Sequence, residues 1–287
     1  MKFYWPFIFL ILFAACTKKE EVIEPNNIAP PDTTIENVVY EDYVNRSYIL
    51  ICGREPDSVE LKSSLQILKT AKLNVNSRYQ FLNTVFSKPE YLPHVYDKWR
   101  VELLNNLDTT EVTNFINIFN YYLNDSTYQY AWSALQYERD RLQSLQTAAT
   151  QFKNKQINVR ELQVYMINNY FYDQINMGST NFVLTSFQHF IGRNPTNDES
   201  NNGVSMVNGL TGLLFLKPGS TKNDFLDIFF SSNDYYEGTI IRFYNDYLFH
   251  KPTSLQMTVA SQKCKSSNDF DKAQKDIMVT NEFVGIK

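Results

Sequence analysis

The side chains of this chain that could carry chemistry are few and far apart. Three cysteines (Cys16, Cys52, Cys264) and three histidines (His94, His189, His250) are spread over 287 residues. Cys16 follows Ala14-Ala15, behind Lys2 and a nearly unbroken apolar run at residues 3–13, which places its thiol at the cleavage point of an export signal. Cys52 and Cys264 admit two readings: a disulfide joining the ends of the folded region, or two separate buried thiols behaving as small hydrophobes. The histidines stand among aromatic residues and read as packing groups rather than bases or ligands. Arg54 and Arg193 occupy matching Gly-Arg-x-Pro turns. A guanidinium on a rigid turn clamps a carboxylate or phosphate, and Glu90 and Asp234 of the same chain are equally suitable partners. HExxH, CxxC, GxSxG, GxxxxGK[ST] and GxGxxG are all absent, and nothing singles out two carboxylates as a glycosidase pair. The sequence thus predicts no catalytic residue, no metal site and no cofactor.

The small-small-Cys ending resembles a lipobox, with Phe13 where Leu is more usual. The apolar run is shorter than the roughly 20 residues needed to span a bilayer. The resemblance implies a signal peptide at 1–15, cleavage before Cys16, and a lipoprotein acylated there with fatty acid such as palmitate. Residues 16–35 are polar and contain proline, and read as a disordered tether. Within them Lys18-Lys19-Glu20-Glu21 resembles the signal that sends some Bacteroidetes lipoproteins to the outer face of the outer membrane; a solvated charge run is the alternative. Asp32-Thr33 resembles an O-glycosylation acceptor of exported proteins of that group. The expected location is the outer membrane, lipid-anchored, on its surface or periplasmic face. Loss of Lys2 leaves 26 basic against 31 acidic residues, a net charge of −5 that carries no footprint for nucleic acid.

The elements that must position these groups repeat. A shift of 139 lays Tyr43-Val44…Tyr48 on Phe182-Val183…Phe187, and Gly53-Arg54-x-Pro56…Glu60 on Gly192-Arg193-x-Pro195…Glu199. After five inserted residues Phe81-Leu82…Phe86 meets Phe225-Leu226…Phe230, and Glu90-Tyr91 meets Asp234-Tyr235. A third copy has His250-Lys251-Pro252-Thr253 in place of the turn, with His250 at the glycine position, and a degenerate fourth starts near Asp108. Physically the turn is a helix joint. Glycine adopts the left-handed conformation that ends a helix. Positive charge faces the carbonyl end, and Asp57…Glu60, Thr196…Glu199, Thr253…Gln256 and Asp108…Glu111 begin the next helix as capping boxes. The prediction is an all-α fold of stacked helical repeats, with an N-terminal repeat region at 36–175 and a C-terminal one at 176–287.

The turn with its later Ser-x-x-[Glu/Asp]-Tyr ending resembles a family of bacterial Gly-Arg-x-Pro helical repeats of unknown function, and more distantly the phycobilisome linker domain. That resemblance implies a scaffold that binds other proteins and carries no catalytic residues. The expected function is accordingly a non-enzymatic envelope lipoprotein that binds or scaffolds a protein partner. The alternatives are a surface glycan-binding lipoprotein using aromatics such as Tyr121-Tyr122, Tyr128-Tyr130-Trp132 and Tyr170-Phe171-Tyr172, and a glycan-active enzyme. Residues 128–156 read as a polar helix, packed in the bundle or projecting as a hairpin. Residues 209–219 read as an exposed apolar patch or a short strand or helix filling a gap.

Overall fold

A computed structural model describes residues 35–286. The expected export signal, the expected acylation site Cys16, the charge run and Asp32-Thr33 lie outside the described residues. The chain is all-α apart from one small hairpin. Its first half runs through α1 (Asn37–Cys52), α2 (Ser58–Thr70), α3 (Val75–Phe86), α4 (Tyr91–Leu104), α5 (Thr109–Leu123), a 3-10 turn (Ser126–Ala131), α6 (Trp132–Lys153), α7 (Val159–Ile167) and α8 (Tyr170–Ile175). The second runs through α9 (Ser179–Phe190), α10 (Asn197–Val207), β1 (Gly212–Leu214), β2 (Lys217–Gly219), α11 (Lys222–Phe230), α12 (Asn233–Leu248), α13 (Ser254–Ser267), α14 (Phe270–Met278) and α15 (Asn281–Val284).

The second half repeats the element order of the first. α1 to α4 correspond to α9 to α12, and the helix starts at Asp108, Asn158 and Asn169 correspond to those at Thr253, Asp269 and Thr280. Short polar residues begin these helices because their side chains accept from backbone N–H groups that the first turn leaves orphaned, each cap contributing about 1 kcal/mol. The boxes expected at Asp57, Thr196 and Thr253 are complete. The one expected at Asp108 is only half made: Asp108 caps Thr110, and Glu111 returns no bond.

The aligned apolar positions form one continuous core. Tyr43, Val44, Tyr48, Phe81, Val183, Phe187, Phe225 and Phe229 are all nearly inaccessible. Phe190, Phe229, Phe230 and Tyr235 meet mostly edge to face at centroid separations of 4.9–6.5 Å, the geometry that the aromatic quadrupole prefers. The last helix packs on the first: Phe283 of α15 lies against Tyr43 of α1 at 5.9 Å, and Arg46 donates to Phe283 O at 3.0 Å. The stretch 209–219 holds the antiparallel pair β1–β2, with Leu214 buried and Leu213 and Leu216 exposed.

The two halves differ most between their last capped starts. From Asp108 to Asn158 the first half has 34 more residues than the second has from Thr253 to Asp269. The surplus builds the long antiparallel hairpin of α5 and α6. Its base is held by Val112, Ile116, Leu142, Leu145, Ala148 and Phe152, whereas no residue from 117 to 140 is buried. Of the two arrangements expected for 128–156, the projecting hairpin is the one formed.

Candidate functional site

The arginines of the turns are engaged within the chain. Arg54 Nη1 and Nη2 donate to the two oxygens of Glu60 at 2.7 and 3.0 Å, and Nε and Nη2 reach Glu90 Oε1 at 3.1 and 2.8 Å. Arg193 repeats the pattern on Glu199, at 2.7 Å to each oxygen, and on Asp234 at 2.7 Å. Each guanidinium lies over the ring one turn earlier, Tyr48 or Phe187. Glu60 and Glu199 also accept the backbone N–H of Asp57 and Thr196, so one carboxylate both caps its helix and holds the arginine. Hydrogen bonds from Arg54 hold the Glu60 carboxyl well below the usual carboxylate range. The clamp offered by Arg54 and Arg193 therefore closes on the acid of their own Ser-x-x-[Glu/Asp]-Tyr ending, and ties the start of each repeat to its end.

The third joint corrects the sequence alignment. The left-handed residue that ends α12 is Phe249, at φ +60°, so Phe249 takes the place of Gly53 and His250 that of Arg54. His250 is exposed and its Nε2 pairs with Glu282, the counterpart of Glu90. It is an ion-pairing group at a joint and not the packing histidine that its aromatic neighbours suggested.

Cys52 and Cys264 are both free and buried, so the disulfide considered between them is not formed. The Cys52 thiol, on α1, points at Val85 O at 3.8 Å, while Cys264 lies on α13. Burial pushes the two thiols up to about 11 and about 12.

Two features that the sequence left apart come together between the halves. α4 and α12 align with a shift of 144, which puts Lys98 on Arg242, Trp99 on Phe243 and Glu102 on Asp246. The basic residue of each helix pairs with the acid of the other: Arg242 grips both oxygens of Glu102, and Lys98 lies 4.0 Å from Asp246. Arg242 also covers the face of Trp99, 4.5 Å from its centroid. The four charged residues and His189 edge a surface groove of about 630 Å³. Beneath it is a cavity of about 80 Å³ walled by α1, α4, α7, α9, α12 and α14. His94 and His189 both line it, and burial lowers the basicity of each imidazole. Tyr172 OH stands 3.2 Å from both Thr185 Oγ1 and His189 Nδ1, which holds the His189 ring against it. Sequence reading had kept these histidines apart because they lie in different repeats.

The third feature is the tip of the α5–α6 hairpin. Tyr121 is 67 % exposed and Tyr130 87 %. Tyr122 joins Tyr121 to the rest: its ring lies 5.6 Å from Tyr121 and 4.6 Å from Tyr128, and its carbonyl accepts from Trp132 Nε1 at 3.3 Å. The third aromatic run behaves differently. Tyr172 is buried, and Tyr170 and Phe171 pack on Phe115 at the hairpin base. Among the described residues no group of three or more His, Cys, Asp or Glu is placed to hold a metal ion, and no helix is long and apolar enough to cross a membrane.

Comparison with protein-family models, with curated proteins and with solved structures finds no match.

Proposed function

We propose that this protein is a non-catalytic binding module of the bacterial envelope, anchored through an acylated Cys16 and engaging a protein partner with the tip of its α5–α6 hairpin. One observation carries the reading. Among the described residues the largest departure from the internal repeat is 34 residues that bury nothing beyond their base and carry five aromatics at their tip, four of them in contact. Holding Tyr121 and Tyr130 in water forgoes the 1.5–3 kcal/mol or so that burying such a side chain contributes, and tyrosine and tryptophan are the residues that anchor protein interfaces. The rings favour a protein over a sugar. Tyr121–Tyr122 and Tyr122–Tyr128 stand at 70° and 61° to each other, which gives separate knobs for separate pockets instead of a flat stacking face.

Cross-linking in intact cells tests it, with Tyr121→Ser/Tyr130→Ser beside the parent chain. The expected result is a defined cross-linked species lost in the variant at unchanged helicity and melting temperature. An identical cross-linking pattern would refute the reading, and retention on polysaccharide affinity gels that depends on the two tyrosines would replace it with glycan binding. Incorporation of labelled palmitate, abolished in Cys16→Ser, tests the anchor, and protease shaving of intact cells tests the face of the membrane.

A further inference from the structure

We infer that the cavity between the two halves is a binding site for a small uncharged molecule whose slim apolar head ends in a hydrogen-bond acceptor. The inference concerns a different part of the molecule from the hairpin tip and does not depend on it. The walls set the polarity: Ile51, Val95, Trp99, Phe190, Phe243 and Phe270 supply a largely apolar lining. The collar sets the charge. Lys98 and Arg242 are matched one for one by Asp246 and Glu102, so an ion of either sign would find no uncompensated partner there.

The floor sets the acceptor. Gln163 of α7 and Gln274 of α14 occupy equivalent positions, 111 residues apart, and both are buried. Gln274 is saturated: its Oε1 accepts from Tyr247 OH, and its Nε2 donates to Tyr91 OH and to Phe270 O. Gln163 is only 3 % exposed, and its Oε1 takes Tyr235 OH at 2.6 Å. Its amide nitrogen makes no hydrogen bond among the described residues and is not one of the fully enclosed unpaired atoms, so it can donate into open space. The place where Gln163 meets open space is the wall of this cavity. A volume near 80 Å³ admits only the tip of a molecule, since a cavity of about 150 Å³ is what takes up a whole benzene ring. The remainder of the ligand would occupy the groove outside the ion-pair collar.

Butanone, a slim uncharged molecule with one carbonyl, is a suitable probe, and 2-methyl-1-butene is its isostere without the acceptor. Titration into the ¹⁵N-labelled protein should move the Gln163 side-chain NH₂ and the Trp99 indole N–H saturably, with the ketone held roughly five-fold tighter than the alkene. In Gln163→Leu the two probes should bind alike. In Val95→Phe, which fills the cavity, neither should bind; Thr239→Leu narrows the same space and serves if the first variant does not fold. Shifts that never saturate, that persist in the filled variants, or that are equal for both probes in the parent chain would overturn the assignment.

Discussion

The two equivalent glycines offer a controlled comparison of backbone strain with side-chain crowding. Gly53 and Gly192 end corresponding helices at φ +71° and +75°, so a Cβ at either position meets the same left-handed penalty of about 1–2 kcal/mol. Their surroundings differ. A Cβ built on Gly192 has no atom within 4 Å, whereas one built on Gly53 would lie 2.5 Å from His94 Nδ1 and 2.7 Å from His94 Cε1. Those are atoms of a rigid ring, so the imidazole must swing as a whole, and overpacking of this kind costs about 1–3 kcal/mol more. Gly192→Ala should therefore lower stability by about 1–2 kcal/mol and Gly53→Ala by about 2–5 kcal/mol. Urea unfolding monitored by helicity measures both. Adding His94→Ala to Gly53→Ala should recover the crowding part, a non-additive double-mutant cycle. Equal costs at the two glycines, or a strictly additive cycle, would show that His94 does not sit on the Gly53 joint as described.

The third joint gives two further expectations. Phe249 is 83 % exposed and holds a left-handed conformation with no packing in return, so Phe249→Gly should stabilise the fold by about 1 kcal/mol, read as a rise of roughly 2–4 °C in melting temperature. The Lys251 carbonyl and then Glu282 raise the His250 pKa. A raised folded-state pKa makes its contribution fully present below the ordinary histidine value of about 6.5 and lost as pH climbs through the folded value. Amide protection factors in residues 281–284, referred to the intrinsic exchange rate at each pH, should fall across that window in the parent chain and stay level in His250→Arg; the same fall in both would refute the coupling. The thiols give the last. With pKa values pushed to about 11 and about 12 and no exposure, Cys52 and Cys264 should resist Ellman's reagent in the native protein. Both should titrate in urea without reductant, and a missing pair there would mean that they are bonded.

The helix joints were legible because their parts are local. Gly53-Arg54-x-Pro56…Glu60 places a left-handed stop, a cation and a capping acid within eight residues, and each acts on backbone groups next to it. Even the longer link to Glu90 and Asp234 could be anticipated, since the second copy repeats it. Where the signal weakened, so did the reading. At 249–253 the glycine is gone, and a sequence alignment anchored on Gly-Arg put His250 one position out. The left-handed φ of Phe249 is a backbone property that no residue type there announces. The cavity was not legible at all, because its six walls come from six helices and its polar groups from both halves. Projection of the hairpin was undecided for a related reason: periodicity marks an apolar stripe on residues 128–156 but does not say how far along it the body extends.

The comparison of the halves bears on where binding should be sought. Features that both copies share have an architectural account: Arg54 and Arg193 satisfy the same pair of acids, and Lys98 and Arg242 each hold an acid of the opposite helix. A duplicated element that serves the fold gains nothing by differing between copies, so differences call for another cause. Two such differences stand out. The first half exposes an aromatic hairpin that the second lacks, and Gln163 leaves unpaired an amide that Gln274 pairs. A bound molecule would engage both, the hairpin by burying its tyrosines and the amide by offering it an acceptor. They lie in separate parts of the first half, so partner capture and small-molecule uptake should be separable by mutation. Tyr121→Ser/Tyr130→Ser should leave butanone titration unaltered, and Val95→Phe should leave cross-linking unaltered.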